Sequence, residues 1–244
     1  MRTLCLVGYE LRRILLTRAF FYGLLLLLLF SQDVLRRLII EGTYGAAPYS
    51  PLSYAQFLVL LNPLLMGVLM LWCAGVVSER QQAVRRIVLS TPITPAGYLG
   101  IQVGAIGLAF LISSGLVVAA SLVFYGWQFG FYGFREFLSP ILAFWLPAAV
   151  FALGVGVAAG QIHPRLVLAL LPLLFFAGVF NLGLPSWLDI CGNNFMLDYP
   201  KILMRTLGTG DMVYYLPSGF LASRVGLLVA GVLLLGWAAR RCSR

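Results

Sequence analysis

The sequence predicts an all-α polytopic membrane protein with six transmembrane helices, an N-terminal amphipathic interfacial helix and a cytoplasmic helix between spans 2 and 3. Three observations support this prediction. First, 61% of the 244 residues are hydrophobic and only 10% are charged, whereas an average soluble domain has about 25% charged residues. Second, apolar runs close to the ~20 residues that cross a bilayer recur along the chain. Third, the segments between these runs differ in their content of basic residues.

Six apolar runs make up most of the chain, which we interpret as one transmembrane domain over residues 1–244. No segment has the length and polarity of a separate soluble domain. The predicted spans lie at about residues 16–38, 55–77, 97–125, 137–160, 166–184 and 219–238. A polar cluster ends the first span, where Arg36 and Arg37 follow Asp33 by three and four residues. Because a helix brings such residues onto one face, we expect Asp33 to offset one of these two charges.

Basic residues are concentrated on one side of the predicted spans. With both termini placed in the cytoplasm, the inner segments hold 11 arginines and two acidic residues. The outer segments hold six basic and six acidic residues, so the whole net charge of +9 lies on the inner side. This is the positive-inside pattern of membrane proteins. The excess of basic residues therefore predicts the orientation of the chain in the membrane and does not indicate nucleic-acid binding.

Residues 1–17 have the pattern of an amphipathic helix. Leu4, Val7 and Leu11 share one face at helical spacing, while Glu10 and Arg13 lie largely off it. Such a helix lies in the membrane interface and leads into the first span, which is the interpretation we favour. A plain cytoplasmic extension of that span is the alternative.

The longest predicted outer segment covers residues 185–218. Pro185, Pro200 and Pro217 divide it into short amphipathic pieces, so we expect an extracytoplasmic helical loop packed on the outer mouth of the bundle. Both a loop above the membrane and a re-entrant loop fit the sequence. In the second case its irregular backbone has to be buried in protein or line a cavity.

A short, basic, polar island separates spans 2 and 3, at residues 77–102. Its body, Ser78–Ser90, is compatible with a helix, which Pro92 and Pro95 end before the next apolar run. The arginines of the island fit a plain positive-inside loop, but Glu79 has no use as a topology signal. An ordered cytoplasmic piece is instead expected in a membrane protein that is pushed by a partner outside the membrane.

Several catalytic and metal-binding classes lack their residues in this sequence. A nucleotide-binding P-loop needs the pattern GxxxxGK[ST], and the only lysine, Lys201, follows no glycine-rich loop. The only histidine, His163, and four scattered cysteines do not make a zinc site. No serine is paired with a base at matching depth, as an intramembrane protease requires. We therefore expect no enzyme activity and no cofactor in this chain itself.

Two segments carry a family likeness. The first is Glu79 with the basic helix after it and the stretch STPITPAGYL, residues 90–99. The second is PSGFLASRVGLLVAGVLLLGWAARR, residues 217–241, which leads into the last span and ends on a basic tail. On these motifs the chain resembles the ABC-2 type permeases, the membrane subunits of ATP-driven exporters of the type V fold. The order of interfacial helix, six spans and cytoplasmic helix extends this resemblance to nearly the full length.

The resemblance implies a half-transporter. Two permease chains, identical or related, would pair in the lipid bilayer and recruit two cytoplasmic ABC ATPase subunits, which would hold the ATP and magnesium. Segment 78–92 would be the coupling helix seated in a groove of the ATPase, and loop 160–166 would make a second contact. In this role Glu79 could pair with Arg12 or Arg13. The implied coupling residues are Glu79, Arg80, Arg85, Arg86, His163 and Arg165.

The resemblance also implies which residues line the transport pathway, since spans 2 and 5 usually do so in this family. The implied lining residues are Asn62, Met66, Met70, Phe175, Phe176 and Asn181. An apolar pathway suits export of an amphipathic or hydrophobic drug, lipid or peptide across a bacterial inner or plasma membrane, and polysaccharide export also fits the family. The alternative function is a non-transporting membrane scaffold or sensor subunit, which would need no ATPase.

Overall fold

The structure is a computed structural model that describes residues 2–77, 93–180, 183, 185, 188–207 and 214–242. Within these residues the regular structure is helical, as the sequence predicts, and contains no strand longer than an isolated bridge. The helices are α1 (Arg2–Leu15), α2 (Arg18–Ile39), α3 (Pro51–Val77), α4 (Pro95–Phe129), α5 (Phe134–Ile162), α6 (Pro164–Val179), α7 (Asn193–Leu207) and α8 (Ser218–Cys242). Helix α2 ends in a π-helical turn, Leu35–Ile39, and α5 contains another, Ile141–Trp145.

Five of these helices, α2, α3, α4, α5 and α8, are long and apolar enough to cross a membrane. The fold is therefore that of an all-α protein built for multiple membrane crossings. The fifth predicted span, 166–184, differs from the expectation because α6 has only 16 residues. It rises about 24 Å, which is less than the ~30 Å of the hydrocarbon core. The described residues thus contain five helices of spanning length where the sequence predicts six spans.

The first residue of α7 contacts the end of α6. Phe180 leaves the helix with extended backbone angles, φ −88° and ψ 139°. The side-chain amide of Asn193 donates a hydrogen bond of 3.1 Å to the carbonyl oxygen of Val179, in the last turn of α6. The chain around Asn193 therefore binds the carbonyl end of α6, where a longer helix would continue.

Helix α3 is the centre of the bundle. It packs against α2, α4, α5, α6 and α7, and it is the most buried of the long apolar helices. Its apolar residues point in all directions, which is the pattern of a helix enclosed by other helices. Tyr54, Phe57 and Leu58 are fully buried near its start, and Leu69 and Cys73 are buried towards its end.

Helices α5 and α8 form the most extensive helix pair, and two glycines permit their contact. A Cβ atom on Gly231 would lie 2.6 Å from the backbone oxygen of Val150, and one on Gly154 would lie 2.6 Å from the backbone oxygen of Gly231. Because these neighbours are backbone atoms, neither can move aside as a flexible side chain would. Small residues are a common means of close helix packing in membranes.

The bundle has two ends, which we name after the helices that lie there. At the α1 end, α1 packs on the first turns of α4, and the thiol of Cys242 in α8 lies 3.6 Å from the carbonyl oxygen of Pro95. At the α7 end, α7 lies against the first half of α3, close to the start of α8. Helix α1 matches the predicted amphipathic segment 1–17, and α7 lies within the predicted helical loop 185–218. The predicted coupling helix, 78–92, is outside the described residues.

Candidate functional site

The coupling residues predicted from the sequence fall into two groups. Glu79, Arg80, Arg85 and Arg86 lie outside the described residues, so their role stays a prediction. His163 and Arg165 lie at the α1 end, in the tight connection between α5 and α6, and both are exposed. The Nδ1 atom of His163 accepts a hydrogen bond of 3.1 Å from the backbone N–H of Arg165, which caps the start of α6. This loop therefore presents a short, fixed, basic surface.

The three predicted lining residues on α3 are buried in the core of the bundle. Asn62, Met66 and Met70 are at most 2% exposed. The side-chain amide of Asn62 donates hydrogen bonds of 3.2 Å to the carbonyl oxygens of Phe144 and Cys191. In this state of a single chain, these residues form part of the core that joins α3 to α5 and to the segment before α7.

The lining residues predicted on α6 have the opposite environment. Phe175 and Phe176 are 36% and 55% exposed, and Phe176 stacks on Phe180, which is 53% exposed. These three rings form an aromatic surface on α6, which we call the α6 face. Asn181, the remaining predicted residue, is outside the described residues. An exposed apolar surface of this kind is available to lipid, to a second chain or to an apolar substrate.

A buried carboxylate connects α1 to α4. Glu10 in α1 is only 3% exposed. Its Oε1 atom accepts a hydrogen bond of 3.0 Å from the hydroxyl of Tyr98 in α4. Its other oxygen lies 2.5 Å from the guanidinium of Arg13, one turn along α1. We call this set, Glu10, Arg13 and Tyr98, the α1 lock.

The α7 end contains a second buried polar set, built around Asp189. This residue is 2% exposed, and its carboxylate accepts hydrogen bonds from the backbone N–H groups of Gly192, at 3.0 Å, and Phe195, at 2.9 Å. The carboxylate therefore caps the start of α7, where unpaired N–H groups favour negative charge. Gly192 has φ +88°, and a Cβ atom there would lie 2.6 Å from the ring of Phe144. This turn thus requires glycine for its conformation and for its packing.

An arginine from α8 completes this set. Arg224 is 3% exposed and donates hydrogen bonds of 2.6 and 2.8 Å to the carbonyl oxygens of Asp189 and Ile190. Its guanidinium also lies 4.2 Å from the ring centre of Phe220. Together with Asn62, which binds the next carbonyl, Arg224 satisfies three successive carbonyl groups of an irregular segment. We call Asp189, Ile190, Cys191, Arg224 and Asn62 the α7 cluster.

The position of the α7 cluster explains why it needs so many polar side chains. Asn62 stands about 17 Å along α3 from its start at Pro51, so residues 189–191 reach well into the bundle. Irregular backbone at such depth is tolerated only when its polar groups are bound within the protein.

The sequence alone did not identify the most buried ionisable residues. The charge pattern predicts Arg224 and Asp189 as outer-side charges, and Glu10 as an inner-side acid off the apolar face of its helix. The available signal was the position of Arg224 inside the predicted span 219–238, because an arginine there faces the protein interior as a rule. Tyr98, by contrast, lies in the quoted motif STPITPAGYL, but the motif does not reveal its partner.

Comparisons of the chain with protein-family models, curated proteins and solved structures found no match. Among the described residues, no group of three or more His, Cys, Asp or Glu side chains is arranged to hold a metal ion. The two polar sets and the exposed surfaces of this chain are therefore the features that bear on its function.

Proposed function

We propose that this chain is the transmembrane permease subunit of an ATP-driven ABC exporter, of the ABC-2 type that its motifs resemble. In this proposal the chain crosses the membrane six times, α1 lies in the interface, and segment 78–92 is the coupling helix. The ATPase activity resides in separate cytoplasmic subunits. The substrate is an amphipathic or hydrophobic molecule, such as a drug, lipid or peptide, that leaves the cell.

The α1 lock is the observation on which the proposal rests. Only residues 93 and 94 separate segment 78–92 from the start of α4, and Tyr98 is in the first turns of α4. Through the bond between Tyr98 and Glu10, any displacement of the start of α4 is passed to α1. A partner that pushes on segment 78–92 would thus move two helices together. A protein that only anchors a complex has no need for this linkage.

The short helix α6 is compatible with six crossings. In the proposal, residues 188–193 make up its deficit of about 6 Å relative to the hydrocarbon core, since Asn193 binds the last turn of α6. The α6 face is the surface we assign to the second permease chain. Pairing there would place the rings of Phe175 and Phe176 between the two chains, where an apolar substrate would pass.

Copurification of an ATPase tests the proposal. The chain is extracted from its native membranes in a mild detergent, isolated by an affinity tag, and assayed for bound ATPase activity. The variant Arg85→Glu/Arg86→Glu tests the coupling helix. The variant Arg240→Glu/Arg241→Glu is its control, because it makes the same charge change in the basic last turn of α8.

We expect an ATPase to elute with the wild-type chain and with the α8 control, and to be absent from the Arg85/Arg86 variant. Loss of the ATPase from both variants would indicate a general charge effect and would contradict the assignment of the coupling helix. If no ATPase elutes with the wild-type chain, the scaffold or sensor function becomes the better account.

A further inference from the structure

A cleft of about 630 Å³ lies between the last turns of α2 and α4, at the α7 end of the bundle. It combines an apolar wall with three polar side chains. The wall includes Val123, Phe124 and Trp127 of α4, and the polar side chains are Gln32, Arg36 and Gln128. Neither the α1 lock nor the α7 cluster contributes to this cleft. The role of the cleft is therefore separate from theirs and does not depend on the proposed export function.

Two adjacent arginines at this end differ in their electrostatic surroundings. The sequence allows Asp33 to pair with either Arg36 or Arg37. In the structure, the Nε atom of Arg37 lies 2.6 Å from the Oδ1 atom of Asp33, so Arg37 is the partner. Arg36 lines the cleft and has no carboxylate within 4.0 Å among the described residues. Both lie in the π-helical turn Leu35–Ile39, a rare conformation that is frequent at functional sites. The cleft thus holds a cation whose counter-ion is not supplied by the described part of the chain.

The length of α2 is compatible with a position of the cleft at the depth of lipid headgroups. From Arg18 to Arg36, α2 rises about 27 Å, close to the ~30 Å thickness of the hydrocarbon core. If Arg18 lies at one interface, Arg36 lies at the other. Trp127 is 88% exposed and Val123 is 68% exposed, so the wall of the cleft is open at the surface of the chain, where lipid can reach it. Tryptophan is enriched at this level of the membrane.

We propose that this cleft binds one phospholipid with an anionic headgroup. The guanidinium of Arg36 matches a phosphate in charge and can donate two hydrogen bonds to it. The amides of Gln32 and Gln128 can donate to the remaining headgroup oxygens. The acyl chains then lie against Val123, Phe124 and Trp127. A zwitterionic lipid carries its own cation, which competes with Arg36 for the phosphate, so it binds more weakly.

Fluorescence quenching by brominated lipids tests this proposal on the whole chain. The protein is reconstituted in phosphatidylcholine nanodiscs that contain equal mole fractions of either brominated phosphatidylglycerol or brominated phosphatidylcholine. The signal of Trp127 is obtained as the difference between wild type and Trp127→Phe. We expect phosphatidylglycerol to bind about fivefold more tightly than phosphatidylcholine, the preference given by one arginine near a charged membrane surface.

The adjacent arginine supplies a matched control. Arg36→Gln should reduce the preference to about one, whereas the double variant Asp33→Asn/Arg37→Gln, which removes the adjacent arginine without freeing Asp33 to pair with Arg36, should keep it. Both variants are first checked for wild-type elution and helical content. A third variant, Arg36→Lys, keeps the positive charge but lacks the paired N–H donors of a guanidinium, so it tests whether charge alone restores part of the preference. Equal quenching by the two lipids in wild type, or an equal loss in both glutamine variants, would overturn the proposal. Displacement of the lipid by added inorganic phosphate would also overturn it, in favour of a free-anion site.

Discussion

The two ends of the bundle are held together by different kinds of polar contact. At the α1 end, the contacts of the α1 lock join side chain to side chain, between the carboxylate of Glu10 and the hydroxyl of Tyr98. At the α7 end, the contacts of the α7 cluster join side chains to backbone, since Arg224 and Asn62 bind three successive carbonyl groups. The first kind connects two regular helices, and the second holds an irregular segment in place.

This difference determines which end can move. The two helices that the α1 lock joins can move together relative to the rest of the bundle without exposing any backbone group, because the hydrogen bonds of their own backbones stay intact. Residues 189–191 cannot leave Arg224 and Asn62 without leaving buried carbonyl groups unpaired, which costs about 1–3 kcal/mol for each group. In the export proposal, the α1 end, which is next to segment 78–92, moves during transport, and the α7 end stays fixed.

Thiol labelling should show the largest difference between the ends. Cys191 in the α7 cluster is 3% exposed, so a thiol reagent reaches it only when the cluster opens and the carbonyl groups of residues 189–191 lose their partners. Cys5 on α1 is exposed. Because each unpaired carbonyl costs about 1–3 kcal/mol, we expect N-ethylmaleimide to modify Cys191 at least about a hundredfold more slowly than Cys5, measured by mass spectrometry of peptides. Rapid labelling of Cys191 in the folded chain at pH 8 would contradict a closed α7 end.

Removal of the cluster's arginine should have the next largest effect. Arg224→Met fills much of the same volume but leaves the carbonyls of Asp189 and Ile190 unpaired, so we expect a loss of about 3 kcal/mol in the free energy of unfolding. The measurement is unfolding in mixed detergent micelles, followed by circular dichroism. Arg135→Met, at an exposed position of the same end, is the control and should change little. A similar small effect for both variants would mean that the α7 cluster does not hold this end.

Disruption of the α1 lock should have a smaller effect, confined to the α1 end. Tyr98→Phe removes one hydrogen bond to a buried carboxylate, which is worth about 1.5 kcal/mol. Hydrogen exchange of α1 amides should therefore accelerate about tenfold, while the amides of α7 stay unchanged. Tyr9→Phe, which removes a hydroxyl from a residue of α1 that is 64% exposed, should leave exchange unaltered. Acceleration in α7 as well would show that the two ends are not independent.

The smallest effect is expected at an exposed ion pair of the α7 end. Lys201 lies 3.0 Å from Asp198, but both side chains are mostly exposed, at 83% and 57%. Exposed pairs of this type contribute little, so Lys201→Ala should change the free energy of unfolding by less than about 0.5 kcal/mol. The detergent unfolding assay used for Arg224 gives this value. A larger loss would mean that contacts on the surface of α7, besides the α7 cluster, stabilise this end.

The sequence predicts those features that a repeating pattern encodes. The helical spacing of Leu4, Val7 and Leu11 predicts α1, and the apolar runs predict the five long helices. The polar cluster after span 1 predicts an ion pair of Asp33, and the structure selects Arg37 as the partner. Each of these features depends on residues within one or two helical turns.

Features that depend on distant residues are not visible in such patterns. The run 166–184 is as apolar as the other spans, yet α6 ends at Val179, whose carbonyl oxygen binds Asn193, a residue 14 positions further along the chain. Asn62 has partners 82 and 129 residues away along the chain, so its buried position has no local signal. The same holds for Arg224, whose partners Asp189 and Ile190 are about 35 residues away.

Site-specific photo-crosslinking tests the central claim, that a cytoplasmic ATPase binds the α1 end of this chain. A benzophenone amino acid replaces Ile162, which lies in the predicted contact loop 160–166 and is 53% exposed, or Tyr132, at the α7 end and 74% exposed. After illumination of whole cells, the crosslinked partner is identified by mass spectrometry and tested for nucleotide binding. The proposal predicts a crosslink to an ATPase from position 162 and none from position 132. A crosslink from position 132 alone, or no ATPase from either position, would contradict it.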